Sequence, residues 1–228
     1  MLRFLAEHSH LPVPRVLGNA ENELWLEDMP GAHRADSSAA VHAARLLASL
    51  HGVTSPDGRF GLGFDTAIGP LPQRNGWHSD WPAFFRECRL LAMASSARDH
   101  GALDTNAMAR VEAISGRLGD LLPAHPAASL IHGDVWSGNV LTSEGRVTAF
   151  LDPSISFAHA EVELAFIELF STFGSEFFAE YAERRPIERD YFRTRRDVYN
   201  LYPLLVHLRL FGGAYMGQID GCLRRLKF

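Results

Sequence analysis

An α+β fold, with a small strand-bearing N-terminal piece ahead of a large and mainly helical body, is predicted by three observations. Beyond residue 37 apolar residues recur every three or four positions over most of the chain. Strand-like runs closed by turn residues occur around residue 24 and again between residues 130 and 152. No internal repeat or low-complexity tract breaks this order, and 228 residues suffice for one well-buried domain or a large domain with a small partner.

Each element follows from local chemistry. "MLRFLAEHSH" reads as the last turns of a helix with Leu2 and either Leu5 or Phe4 on one face, and the two prolines of "LPVPRVL" force an extended segment. In "ENELWLEDMPG" a turn leads into a strand at Leu24–Leu26 that breaks at Pro30-Gly31. From an N-cap at Ser37 or Ser38, Val41, Ala44, Leu47 or Ala48, and His51 step along a helix. Residues 52–80, rich in Gly, Pro and Asp, read as a long irregular connection. "WPAFFRECRLLAMASSA" gives a helix, and Met108, Val111, Ile114, Leu118 and Leu121 give another. A hairpin follows, turning at Ser143-Glu144-Gly145, with Val147, Ala149 and Leu151 alternating on its return strand. Val162, Ala165, Phe166, Leu169, Phe170 and Phe173 make an apolar stripe over about 160–182, and residues 187–225 supply one or two helices with a bend expected at Pro203.

Composition excludes several function classes. Lys plus Arg number 22 against 27 Asp plus Glu, a net charge of −5, which is no footprint for nucleic acid or an anionic membrane. Cys88 and Cys222 are far apart and have no metal-ligand spacing, which suits a reducing compartment. No run approaches a membrane span, because "LYPLLVHLRLFGGAY" is interrupted by Pro203, His207 and Arg209. The expectation is a cytoplasmic protein with no membrane and no nucleic-acid partner.

The chemistry concentrates in "LIHGDVWSGNVLTSEGRVTAFLD" at 130–152. His132 precedes Asp134 by two residues, Asn139 follows Asp134 by five, and Asp152 follows Asn139 by thirteen. Phosphoryl transfer needs an alcohol aimed at a phosphate, an acceptor for its proton, and cations to spread the developing charge. Asp-x-x-x-x-Asn can point a carboxylate at the alcohol and an amide at Mg²⁺, and a hairpin then returns a second oxygen ligand. Asp134 is thus the candidate base, with Asn139 and Asp152 the candidate metal ligands. A purely structural origin, with Asp134 as an Asx-turn, is the bland alternative. A metal-dependent hydrolase on His132 and Asp134 is a rival, but no HExxH or Asp/His cluster completes it.

"HGDVWSGNV", "LDPS" and "HAEVELAFIELFSTFGSEFFAEY" resemble the fructosamine (ketosamine) kinase family, within the aminoglycoside-phosphotransferase-like kinases. "FGLGFDTAIGPLPQRN", "DWPAFFRECRL" and "LYPLLVHLRLFGGAY" extend the resemblance in order over residues 1–215. It implies a protein-kinase-like fold, with 1–30 a remnant of the N-terminal lobe and hinge and 31–228 the helical C-terminal lobe. It also implies ATP and Mg²⁺ as cofactors, and transfer of the γ-phosphate to a sugar hydroxyl of a small-molecule ketosamine or glycated protein amine.

By position, Trp136 and His132 would meet the substrate, and the backbone of Glu27, Asp28 and Met29 would hold the adenine. Trp136 as a core-filling ring and "LWLEDMPG" as a plain strand end are the bland alternatives. The sequence departs from the family at Ser154, which stands for Ala, and at Glu163, which stands for a shorter carboxylate expected to brace the catalytic loop. A larger departure is at the start, where a Gly-rich loop, a strand lysine and a helix glutamate would be expected, while the sequence holds one lysine, Lys227. Two expectations follow: the chain starts at an internal methionine of a longer protein, or it is naturally truncated, with impaired turnover. Two further functional readings stay open at this point: a non-catalytic binder of a glycated or cationic molecule, and a kinase of aminoglycoside, choline-like or homoserine-like alcohols.

Overall fold

Leu2 and Leu5 form the buried side of α1 (Leu2–His8) in this computed structural model, which describes residues 1–21 and 23–228. The extended, proline-bearing segment leads into β1 (Val16–Ala20), which pairs antiparallel with β2 (Glu23–Leu26). Asn22, within the expected turn, lies outside the described residues. Leu5 and Leu11 join the same buried cluster as the helical body. The chain then crosses to α2 (Ser37–Leu50), whose N-cap is Asp36 rather than Ser37 or Ser38. The Asp36 carboxylate accepts the Ala39 N–H at 2.8 Å, a bond a serine one place later could not make in the same register.

Residues 52–80 are not an irregular connection. They hold β3 (Phe60–Leu62), β4 (Thr66–Ile68), β5 (Leu71–Gln73) and β6 (Gly76–His78). Strands of three residues are too short to show a period-2 pattern, and their glycines and prolines read as breakers. Strands β4 and β5 form a separate hairpin. A helix begins at α3 (Trp81–Phe84), passes through a π-helical stretch at Phe85–Leu91, and continues as α4 (Ala92–Asp99). The next predicted helix is divided into α5 (Thr105–Ser115) and α6 (Leu118–Leu121), because the chain leaves the helix at Gly116 and Arg117.

Strand β7 (Ser129–Ile131) precedes the hairpin β8 (Val140–Ser143) and β9 (Arg146–Phe150), which turns at Glu144-Gly145 as expected. Strand β10 (Ser156–Ala158), unforeseen, joins β7 to β3, so a four-stranded antiparallel sheet runs β6-β3-β10-β7. The stripe at 160–182 is two helices, α7 (Glu161–Leu169) and α8 (Ser175–Arg184), separated where Ser171 turns to positive φ. Arg196–Phe211 forms α9, which carries Pro203 inside it, and Met216–Arg225 forms α10. The break between them falls at Gly212, φ 82°, and not at Pro203. α9 is the central helix, packed by α4, α7 and α10, while α2 lies against α8. No described helix is long and apolar enough to cross a membrane.

Candidate active site

The loop between β7 and β8 carries the HGD motif, and its shape follows from its glycines. Gly133 adopts φ 87°, and a Cβ there would run into the carbonyl oxygen of Ser154. That close approach lets the Ser154 N–H donate to the His132 carbonyl at 2.7 Å, joining the catalytic loop to the segment after Asp152. Beyond it, Ser137–Asn139 makes one 3₁₀ turn. A Cβ on Gly138 would enter the indole of Trp136, so glycine at this position lets the ring lie flat over the turn.

Asp134 and Asn139 meet directly. The Asn139 amide donates to the Asp134 carboxylate at 2.9 Å and to its main-chain carbonyl at 3.0 Å. With both donations spent there, Oδ1 of Asn139 accepts nothing among the described residues. Pairing of Val140 with Phe150, and donation from the Leu151 N–H to the Asn139 carbonyl at 2.8 Å, return the chain to this point. Asp152 follows, exposed and with φ 45°. The three sequence-predicted residues are therefore gathered at one place by the loop and the hairpin. An amide oxygen and a carboxylate, both hard donors and both free of protein partners among the described residues, fit a Mg²⁺ ion that keeps several waters.

Burial pushes the Asp134 carboxyl up to about 7, against the Asn139 hydrogen bond and with the help of the negative charges of Asp152 and Glu163. Asp134 and Trp136 border a cavity of about 190 Å³ walled by Ile68, Pro70, Phe166, Tyr202 and His207. Trp136 is 44% exposed, so it is not a core-filling ring. Phe166, part of the predicted apolar stripe, is buried and lines this cavity together with His207. Nδ1 of His207 bonds the Pro203 carbonyl at 2.8 Å, so the imidazole has a partner on its helix while it lines the cavity.

His132 does not meet the cavity. Its ring is fully buried, burial keeps it neutral, and Nδ1 accepts the Asp134 N–H at 3.3 Å. It shapes the loop from behind. Glu27, Asp28 and Met29 also lie away from the cavity, at the end of β2, where the Glu27 carboxylate pairs with exposed Arg15 and its N–H donates to the Arg15 carbonyl. The N–H groups of Asp28 and Met29 find no acceptor among the described residues. The same segment runs on to the β8–β9 hairpin, where Ala32 bridges Thr142 and the Thr148 hydroxyl donates to the Pro30 carbonyl.

Further residues support the loop, and of these the sequence reading gave no such role to His51, Tyr181 or Gln73. The Glu163 carboxylate is buried and accepts the N–H groups of His132 and Gly133, so the longer side chain does brace the loop. It also faces Nε2 of fully buried His51 at 2.8 Å, and Nδ1 of that ring meets the Tyr181 hydroxyl at 2.7 Å. Burial alone would raise the Glu163 carboxyl, but the His51 contact and the Gly133 N–H outweigh it and hold it below the usual range. Gln73 donates to the Ser154 carbonyl at 3.0 Å and accepts from the Tyr202 hydroxyl at 2.8 Å, tying the cavity wall to the segment after Asp152. Ser154, which stands for Ala, adds a bond of its own to the Ala67 carbonyl at 2.7 Å. Nothing local marks His51, since its partner stands 112 residues away.

A sequence profile described as Fructosamine kinase matches residues 1–227. A probable ketoamine kinase of Enterococcus faecium is 34% identical over 200 residues, covering 87% of this chain and 69% of the relative. A protein-ribulosamine 3-kinase of rice chloroplasts is 33% identical, covering 86% of this chain and 57% of its own length. A candidate fructosamine-3-kinase structure from Thermobifida fusca superposes with TM-score 0.86 at 33% identity, over 98% of this chain and 76% of that one. The aminoglycoside phosphotransferase APH(4)-Ia, solved with ADP and hygromycin B, superposes at TM-score 0.70 with 18% identity over 98% of this chain and 81% of that one, a likeness of fold. The chain thus has the α+β fold of the kinase-like phosphotransferases and belongs to the fructosamine kinase family.

Proposed function

We propose that the protein transfers the γ-phosphate of ATP to a sugar hydroxyl of a ketosamine, with Asp134 as the proton acceptor. The observation that carries this reading is the direct Asp134–Asn139 contact at the mouth of the aromatic cavity, with Asp152 returned beside it by the β8–β9 hairpin. A carboxylate whose proton affinity burial has raised is a competent base for an alcohol near neutral pH. Asn139 fixes which carboxylate oxygen stays free to accept that proton. Asn139 and Asp152 would hold Mg²⁺, which when bound neutralises charge on the phosphates. The backbone of Glu27, Asp28 and Met29 would hold the adenine edge, a role that the unpaired N–H groups of Asp28 and Met29 support.

The cavity suits the sugar end of the acceptor, with the Trp136 face against the ring or the attached amine. At about 190 Å³ it leaves the carrier of the amine outside, whether a small molecule or a glycated protein. Two free, buried cysteines fit a reducing cytoplasm.

The test uses the protein as its gene encodes it, with ATP, Mg²⁺ and a fructosyl-amine. Asp134→Asn should lower kcat by about 10²-fold or more with little change in acceptor KM. An unaltered kcat, or ATP consumption only with an aminoglycoside or choline-like alcohol in the same assay, would sink the reading.

A further inference from the structure

A second cavity, about 500 Å³, opens between the loop at 123–127, the start of α7 and the end of α8. It shares no residue with the cavity at Asp134. Pro126, Leu164 and Ile187 give it an apolar wall, and Ser129, His159 and Arg185 give it a polar one.

Three groups of the polar wall are donors that lack acceptors, and the two carboxylates of the lining, Glu161 and Glu188, are turned to Arg195. The Ser129 side chain is fully buried, and its hydroxyl has no partner among the described residues. His159 is neutral, since burial and then the charge of Arg195 push it down to about 3. Its proton can be assigned. The Tyr199 oxygen accepts the Trp81 indole N–H at 3.1 Å, which leaves the Tyr199 O–H to donate to Nδ1 of His159 at 2.8 Å. The imidazole then carries its hydrogen on Nε2, which bonds no described residue. Arg185 has no carboxylate partner among the described residues. Its neighbours are committed: Arg184 to Glu180 at 2.9 Å, and both Glu161 and rim residue Glu188 to Arg195. A cavity with three kinds of unmet donor and an apolar wall lacks an acceptor with an apolar body.

We propose that this cavity is a second binding site, for a small organic anion that bears a carboxylate or phosphate on an apolar body, and that its occupancy reaches the catalytic loop. The link is a chain of hydrogen bonds already described. Tyr181 lines the cavity, its hydroxyl meets His51, His51 meets Glu163, and Glu163 holds the N–H groups of His132 and Gly133. An anion seated against Tyr181 competes with His51 for the phenol O–H and so loosens the far end of the chain.

The test needs neither nucleotide nor turnover, so it stands apart from the kinase reading. Benzoate and phenyl phosphate are titrated by calorimetry into the whole protein, with phenol and inorganic phosphate as controls that lack the charge or the body. At least one organic anion should bind with a dissociation constant of about 1 mM or tighter, and which of the two binds tighter identifies the head group. Phenol and inorganic phosphate should bind at least tenfold more weakly, and Arg185→Gln should cost at least tenfold. Arg185→Lys, which keeps the charge at a half-buried position, should retain most of the affinity. By amide exchange, the bound anion should speed exchange at His132 and Gly133, a response lost in Tyr181→Phe. Absence of saturable binding, equal binding of phenol, or affinity unchanged in Arg185→Gln overturns the site. Binding with no change at those two amides overturns the link.

Discussion

Three donors converge on one buried carboxylate at Glu163: the imidazole of His51 and the main-chain N–H groups of His132 and Gly133. A carboxylate can accept all three, whereas a glutamine would turn its own N–H₂ toward at least one of them. Glu163→Gln, of nearly the same volume, should therefore lower stability by about 3 kcal/mol, the scale of breaking a buried charged hydrogen-bond set. Urea unfolding checks this: the midpoint should drop while the slope with denaturant stays the same. The residue also shows what a sequence conveys at this scale. Resemblance assigns position 163 the bracing of the catalytic loop, but the consequence of its extra methylene depends on His51, 112 positions earlier, and on a distance that only folding sets.

The turn at Ser137–Asn139 and the β8–β9 hairpin hold the reactive groups at the next scale. Gly138→Ala should leave the fold intact but lift the indole off the turn. The near-ultraviolet circular dichroism of Trp136 should change, and the acceptor KM should rise about tenfold or more, as a misplaced binding group does. The KM for ATP should stay constant. The hairpin, α1, α2 and most of the helical body were legible because their periods run for many residues, or because the turn is marked by glycine. Strands β3–β6 and β10 were not, since three residues hold barely one alternation and their pairing is decided across the sheet. The breaks at Gly116, Ser171 and Gly212 were missed for a related reason. Apolar side chains resume in phase beyond each, so an uninterrupted helix and a broken one leave the same stripe. Of the candidate site, spacing proposed Asp134, Asn139 and Asp152, which the fold brings to one place, whereas resemblance put His132 at the substrate and the fold buries it behind the loop, because a motif gives order along the chain and not which face of a loop is buried.

For the molecule as a whole, the buried histidines set the response to acid. His159 titrates at 6.5 in an unfolded chain and near 3 when folded. Between those values the unfolded chain binds a proton that the folded one does not. Its contribution to stability is therefore complete above pH 6.5 and is lost as pH falls toward 3. Buried His132 is shifted in the same direction, and the raised carboxyl of Asp134, which holds a proton in the folded chain between about 7 and 3.8, offsets the loss from one such histidine. Each such histidine steepens the loss by up to about 1.4 kcal/mol per pH unit inside its window. Urea midpoints taken from neutral pH down to mild acid should decline, and His159→Gln, which still accepts the Tyr199 O–H, should flatten the decline.

The main-chain stitching around Gly133 has a mechanical corollary. Ser154 to His132, and Leu151 to Asn139, are backbone bonds, so Asp134 and the proposed magnesium ligands Asn139 and Asp152 ride on a single rigid floor. A guest cannot enter by prising that floor apart. Its doorway is the opposite rim, where the turn at Gly69-Pro70 faces the last turns of α9, and side chains there, Leu210 and Phe211, will govern how fast acceptors come and go more than how fast they react.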